Sequence, residues 1–434
     1  MKLQNIIKKA FRKLPLWGLG GFLLLNSCST DQSYINPSSA SEPQVVNDVN
    51  GLIALCNGLQ YRFTVTRASP GYAFPTAVGL TTRELNVLNA GNADEDFLRQ
   101  GAANVQGNNS LIRNVWTQCN LVKANADLVL KNAKVATDPA TQGSIVAYAS
   151  IYRALALGTM AQLWEKVTIK VEESATFQTR EEALKEAIAT LEAAAAGSAT
   201  SSTSFTSRIA VGLDLPNTIQ ALIARYALML GDNDKALAAA AKVDLTKRSF
   251  WSFDDTSRNP LFESIFSNRN VCEPFPGFGL PTTLAPAAAD KRTAFYYTTA
   301  TATINSGFAS FYRANNTPVP VYLPGEMTLI RAEAFARKNQ LADAVIELNK
   351  VLTKATDAWG IGAGLPAYSG AVTADAVLTE IYKNRCIELF MSGSKLEDSR
   401  RFGRAVPAER TRTFYPYPLN ERQNNPNTPA DPTI

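Results

Sequence analysis

The sequence predicts a mainly α-helical fold: four helical hairpins forming a scaffold, with a loop-rich, irregular region packed on it. Three observations predict it. Apolar residues recur at i, i+3, i+4 and i+7 in several segments, the spacing that gives a helix one buried face. Some of these segments are joined by turns of only a few polar residues, so the two helices of a pair must lie antiparallel. Between about residues 244 and 324 the periodicity gives way to Pro, Gly, Thr, Asn and aromatic residues, as in "EPFPGFGLPTTLAPAAAD".

The elements follow in chain order. Residues 143–164, "GSIVAYASIYRALALGTMAQLW", read as a long apolar helix. The next helix, "TREEALKEAIATLEAAAA", opens with Thr179 and Glu182. These form a capping box, in which each side chain satisfies a free backbone N–H of the other. Ala183, Leu184, Ala187, Ile188 and Leu191 make its buried stripe, which packs against the helix before it. Residues 221–230, "ALIARYALML", carry Arg225 as their sole charge. "GDND" breaks the run and "KALAAAAKV" resumes it, with Asp232, Asn233 or Asp234 as the cap. In "EMTLIRAEAFAR", Leu329, Ala332, Phe335 and Ala336 share one face. "KNQ" turns the chain, and Leu341, Ala344, Val345, Leu348, Val351 and Leu352 repeat the pattern. Small residues at Ala332, Ala334 and Ala344 let the two backbones approach. Both hairpins look like tetratricopeptide-type repeats, whose unit is about 34 residues. Their irregular spacing argues against a simple solenoid. Residues 373–404 form a helix followed by a charged turn, and the Arg, Glu and Asp residues at 385–401 read as an ion network bracing that turn.

The N-terminus reads as a targeting segment. Lys2, Lys8, Lys9, Arg12 and Lys13 precede an apolar stretch from Leu14 to Leu25. That stretch suits a secretory signal better than a membrane span of about 20 residues. Leu25-Asn26-Ser27-Cys28 resembles a bacterial lipobox: an aliphatic residue, a tolerant position, a small residue and the cysteine whose thiol takes the lipid. The expected organisation is a removed signal at 1–27, a flexible tether at 28–50 rich in Ser, Asn, Asp and Pro, and one helical domain at 51–434. The 43 Lys and Arg exceed the 38 Asp and Glu by the five bases of the signal, so the mature chain is formally neutral. Charge therefore gives no argument for nucleic acid or acidic lipid.

The chain contains no histidine. That removes Ser-His-Asp and Cys-His catalysis and His-ligated zinc. Carboxylate-pair glycosidase chemistry survives, with Asp254, Asp255 and Glu263 as the clustered acids of the loop region. Cys56, Cys119, Cys272 and Cys386 lie in no CxxC pair and read as buried free thiols, with a disulfide among them the alternative. No cofactor or metal site is expected.

These residues carry a resemblance to the SusD/RagB family, the surface lipoproteins of Bacteroidota nutrient uptake. Arg153, Ala154 and Leu157 fit the family's R-A-x-x-Y-x-x-L helix, although "EKVTI" replaces the usual stretch after it. "EMTLIRAEAFAR" is similar to its E-x-x-L-I-x-A-E-A helix. In "NRCIELFMSGSKLEDSRRFG", Arg385, Glu388, Leu389, Gly393, Asp398, Arg400, Arg401 and Gly403 match the terminal motif, while Asn384, Ser392 and Lys395 depart from it. "FYPYPLNERQNNPN" resembles the closing stretch. The resemblance implies four tetratricopeptide-like units and a lipid at Cys28. It also implies an outer-membrane, cell-surface location and a SusC-like TonB-dependent transporter as partner. The implied role is to capture an oligosaccharide or polysaccharide and deliver it inward, without catalysis. A peptide cargo and a non-catalytic scaffold for surface assembly are the alternatives.

Glycan binding needs flat aromatic faces beside amide, carboxylate or guanidinium groups. Two regions offer both. One is a Pro/Gly loop with Tyr72 and Phe74, and with Arg83, Arg67, Glu84 and Asn86 nearby. The other is the middle region with Trp251, Tyr296, Tyr297, Phe311, Tyr312, Arg313 and Asn315. Trp359, in "DAWGIGAG", is a third candidate.

Overall fold

The computed structural model describes residues 42–199, 202–267, 271–298 and 307–433. Cys28, the signal and most of the expected tether lie outside the described residues. Part of the stretch expected as a flexible tether is helical, at Glu42–Val46, and the first long helix, α1 (Val49–Thr64), starts two residues ahead of the expected boundary because the Asp48 side chain caps it on the Gly51 N–H at 3.1 Å. Leu52, Cys56, Leu59 and Phe63 form its buried stripe.

The Pro/Gly stretch expected as a loop is instead α2 (Pro70–Thr81). Pro70 occupies the first turn, where its missing N–H has no intrahelical partner to lose. Ten of its twelve residues are buried, so tertiary burial outweighs the poor helix propensity of Gly71 and Pro75. The short α3 (Ala93–Gln100) follows.

The scaffold proper runs through α4 (Ser110–Asn132), α5 (Pro139–Leu163), α6 (Arg180–Ala195), α7 (Leu215–Leu230), α8 (Asn233–Ala240), α9 (Pro324–Arg337), α10 (Leu341–Leu352) and α11 (Ala374–Glu388). Each packs on the next, and short connections join α4 to α5, α7 to α8 and α9 to α10. The two pairs located in the sequence, α7–α8 and α9–α10, are among the adjacent pairs. Helix α5 is long and apolar enough to cross a membrane, yet 94% of its most apolar window is buried in the protein. It is a core helix surrounded by α4, α6 and α7, which is why it lacks a polar stripe. Gly158 lets α7 lie close: a Cβ there would come within 2.3 Å of the Tyr226 ring.

The predicted caps hold. Thr179 and Glu182 make the reciprocal box at 3.2 and 2.8 Å. Of the three candidates before α8, Asp232 is the cap, accepting the Lys235 N–H at 3.0 Å. The 373–404 segment is α11, a tight turn and α12 (Lys395–Arg401); Gly393 takes φ +83° in the turn, against the Phe74 ring.

The middle region consists of loops, short helices and two-stranded pairs. Its β5 (Cys272–Pro274) lies antiparallel to β1 (Leu85–Val87) from earlier in the chain, while β2 (Lys166–Thr168) and β3 (Phe177–Thr179) pair antiparallel outside the region. β4 (Phe250–Trp251) pairs with β8 (Val319–Pro320), which places Trp251 opposite Val319. β6 (Tyr297–Thr298) pairs with β7 (Gly307–Phe308).

The charged turn is braced as expected. Glu333 of α9, fully buried, accepts from Arg401 at 2.6 Å and Arg337 at 2.7 Å, with Arg385 at 3.7 Å. Asp398 takes Arg385 at 2.9 Å and Arg401 at 2.7 Å. Burial opposes the Glu333 charge, but Arg401, Arg385 and Arg337 outweigh it and hold the carboxyl down at about 2. All four described cysteines are buried free thiols.

Candidate functional site

Two concavities adjoin where α1 meets the middle region. The outer one is an open cleft of about 600 Å³. One wall is the polar face of α1, with Asn57, Gln60, Tyr61 and Thr64. Ala210 and Val211 form a second. The loop after β4, with Ser252, Phe253, Asp254 and Ser257, forms the third. Tyr61 is 52% exposed and Val211 68%, so both offer apolar surface to solvent. Phe253 is half-buried.

The walls are held by named bonds. Asn57 donates to the Arg208 carbonyl at 2.7 Å and accepts from the Ala210 N–H at 3.0 Å, tying the second wall to α1. The Oε1 of Gln60 accepts the hydroxyls of Tyr148 and Tyr152, each at 3.0 Å. Asp254 accepts the N–H groups of Ser257 at 2.6 Å and Thr256 at 2.7 Å through Oδ1, which holds its carboxyl below the ordinary range.

Behind this cleft lies an aromatic cavity of about 80 Å³, lined in part by Phe63, Phe74, Tyr226, Trp251, Phe311 and Tyr312. Phe63 and Trp251, 5.6 Å apart, are shared between the same two elements that wall the cleft. Arg225 and Glu326 also line the cavity. Nε meets Oε1 at 2.5 Å and Nη2 meets Oε2 at 2.7 Å, with a further bond to the Val321 carbonyl at 2.8 Å. Burial works against the guanidinium charge, but Glu326 outweighs it and the Arg225 pKa is raised. The lone charge in "ALIARYALML" is thus half of a buried ion pair.

Of the sequence-predicted residues, the structure brings Phe74, Trp251 and Tyr312 together on the cavity. It does not present Tyr72, Tyr296, Tyr297 and Tyr312 to solvent: their exposures are 0, 0, 5 and 4%. Tyr72 packs below the Arg67 guanidinium at 5.6 Å. Tyr296 donates its hydroxyl to the Glu388 carbonyl. The Tyr297 hydroxyl accepts the Gly277 N–H at 3.0 Å, and its ring packs on Phe278 and Phe390. These rings close the loops onto the helices. Trp359, half-buried, lies under Arg248 at 3.9 Å and edge-on to Phe311 at 5.4 Å. Arg83, exposed, donates to the Pro407 carbonyl at 3.1 Å. Arg313 is exposed, and the Asn315 carbonyl accepts the Asn259 N–H at 2.7 Å.

Sequence reasoning passed over Gln60, Tyr61, Val211 and Phe253. A signal was present for Tyr61: it falls off the 52, 56, 59, 63 stripe, which puts an aromatic ring on the solvent side of α1. Nothing local marked the other three.

No protein-family model matches the sequence, and no curated protein is similar to it. Solved structures do resemble it. A SusD superfamily protein from Bacteroides thetaiotaomicron aligns with a TM-score of 0.70 at 15% identity, covering 88% of this chain and 99% of that one. A SusD-like carbohydrate binding protein from Bacteroides vulgatus gives 0.69 at 15%, covering 88% and 97%. NanU of B. fragilis gives 0.67 at 14%, covering 92% and 99%. The chain therefore has the SusD-like fold, mostly helical, which is the fold its terminal motifs implied.

Proposed function

We propose that this chain is a SusD/RagB-family substrate-binding lipoprotein. Anchored through Cys28 on the outer face of the outer membrane, it captures a glycan and delivers it, unaltered, to a SusC-like TonB-dependent transporter. The observation that carries this reading is the SusD-like fold over 88% of the chain, shared with a carbohydrate-binding protein. The outer cleft supports it. Tyr61 and Phe253 offer apolar ring surface for sugar C–H faces, and Gln60, Ser252 and Asp254 offer partners for hydroxyls. The lipobox at Leu25–Cys28 supports the anchor.

The test is affinity electrophoresis of the mature chain through gels containing a polysaccharide panel. At least one glycan retards it, and Tyr61→Ala weakens that retardation by about threefold to tenfold, the loss of one stacking partner. Equal mobility on every gel would refute glycan capture. Palmitate labelling tests the anchor separately: the label is incorporated in wild type and lost in Cys28→Ala.

A further inference from the structure

We infer that the outer cleft selects uncharged glycans and rejects acidic ones, an inference that rests on the capture reading and names its substrate class. The charge inventory carries it. Among the residues lining the cleft, Asp254 is the one with a formal charge, and it is exposed. Two backbone N–H groups occupy its Oδ1, so the carboxylate stays ionised with Oδ2 left for a ligand hydroxyl. The adjacent Asp255 adds a second exposed negative charge.

The basic side chains of the adjoining loops are engaged elsewhere. Arg258 pairs with Glu263 at 3.3 Å and donates to the Asp255 carbonyl at 3.0 Å. Arg208 bonds Asn50 and the Ser204 carbonyl. Among the described residues that line the cleft there is no Lys or Arg to receive a uronate or sialate carboxylate, which would instead enter beside Asp254.

Gln60 supplies the independent sign of a ligand. It is only 4% exposed and forms part of the cleft wall. Two tyrosine hydroxyls saturate its Oε1, which fixes the amide and leaves Nε2 as a donor with no hydrogen bond to any described residue. A neutral sugar answers all three features: its hydroxyls donate to Asp254 and accept from Gln60, and its C–H face covers Tyr61.

The experiment compares two panels at low ionic strength: neutral laminarin, xyloglucan and galactomannan, and acidic polygalacturonate, alginate and hyaluronate. Wild type is retarded by a neutral polymer, with a margin over every acidic one of about tenfold, the scale of one like-charge contact. Asp254→Asn keeps the turn, because an amide oxygen also accepts the two N–H groups. It weakens the neutral ligand by about threefold to tenfold, the loss of a charged acceptor, and strengthens the acidic ones. That opposite movement is the signature, since a merely structural loss would weaken both. An acidic polymer bound as tightly as any neutral one, or a variant that lowers both alike, overturns the selectivity while leaving capture intact. A wild-type chain that nothing retards overturns capture itself, and the selectivity with it.

Discussion

Replacing Glu333 by glutamine removes the charge at the centre of the α9–α12 brace while keeping its shape. The carboxylate is fully buried and faces Arg401 at 2.6 Å, Arg337 at 2.7 Å and Arg385 at 3.7 Å. Its pKa is held at about 2, against 4.5 for the free group. At about 1.4 kcal/mol per unit, that shift corresponds to about 3 kcal/mol of stability at pH 7. The folded pKa is depressed, so this contribution is complete above pH 4.5 and is lost as pH falls towards 2. The same linkage leaves about 2 kcal/mol at pH 3.5. Urea denaturation of wild type and Glu333→Gln at pH 7 and at pH 3.5 measures the two differences. The expected result is a destabilisation of about 3 kcal/mol that shrinks by about a third in acid, within the range for breaking one partner of a buried ion pair. A difference below about 1 kcal/mol at pH 7, or one that does not shrink at pH 3.5, would refute the reasoning.

Two glycines on exposed and buried helix faces behave oppositely. Gly158→Ala forces a Cβ to within 2.3 Å of the buried Tyr226 ring and destabilises the domain by about 2 kcal/mol despite its better helix propensity. Gly58→Ala on α1 meets nothing within 4 Å and stabilises by about 0.5–1 kcal/mol; thermal unfolding separates the two. Lys123 is buried beside Thr168, and burial lowers its pKa from 10.5 to about 7. A base depressed in the folded state is costly while charged, so wild type gains stability relative to Lys123→Met as pH rises from 7 to 10. A flat difference in denaturation midpoint over that range would show that Lys123 is not desolvated.

Local signals carried far in this chain. The capping box at Thr179, the Asp232 cap and the apolar stripes of α6, α9 and α10 involve residues three or four apart, so they are visible without knowing the fold. The charged tail was readable as a brace because Arg385, Asp398 and Arg401 satisfy one another within a single short stretch of chain, 13 residues separating Arg385 from Asp398. Its central member, Glu333, lies some fifty residues earlier and joins only when α9 meets α12.

The site was far less legible. Tyr296 and Tyr72 have the same ring-and-hydroxyl chemistry as Tyr61, and only packing distinguishes them. Tyr296 is sealed by Glu388, 92 residues away, while Tyr61 is left on the open side of α1. Likewise α2 reads as a loop from its Gly and Pro content and becomes a helix because α1, α4 and α12 bury it.

The amino-acid order by itself determined the helical scaffold, its caps, the placement of the irregular region and the exclusion of histidine chemistry, since each depends on composition or on contacts within one or two turns. Only the tertiary structure decided which aromatic rings face solvent, that Gln60 is locked by Tyr148 and Tyr152, and that Asp254 stands across from it in one cleft. Those relations join residues about 90 to 200 positions apart, and their free energy comes from burial and hydrogen bonding between elements that no local pattern brings together.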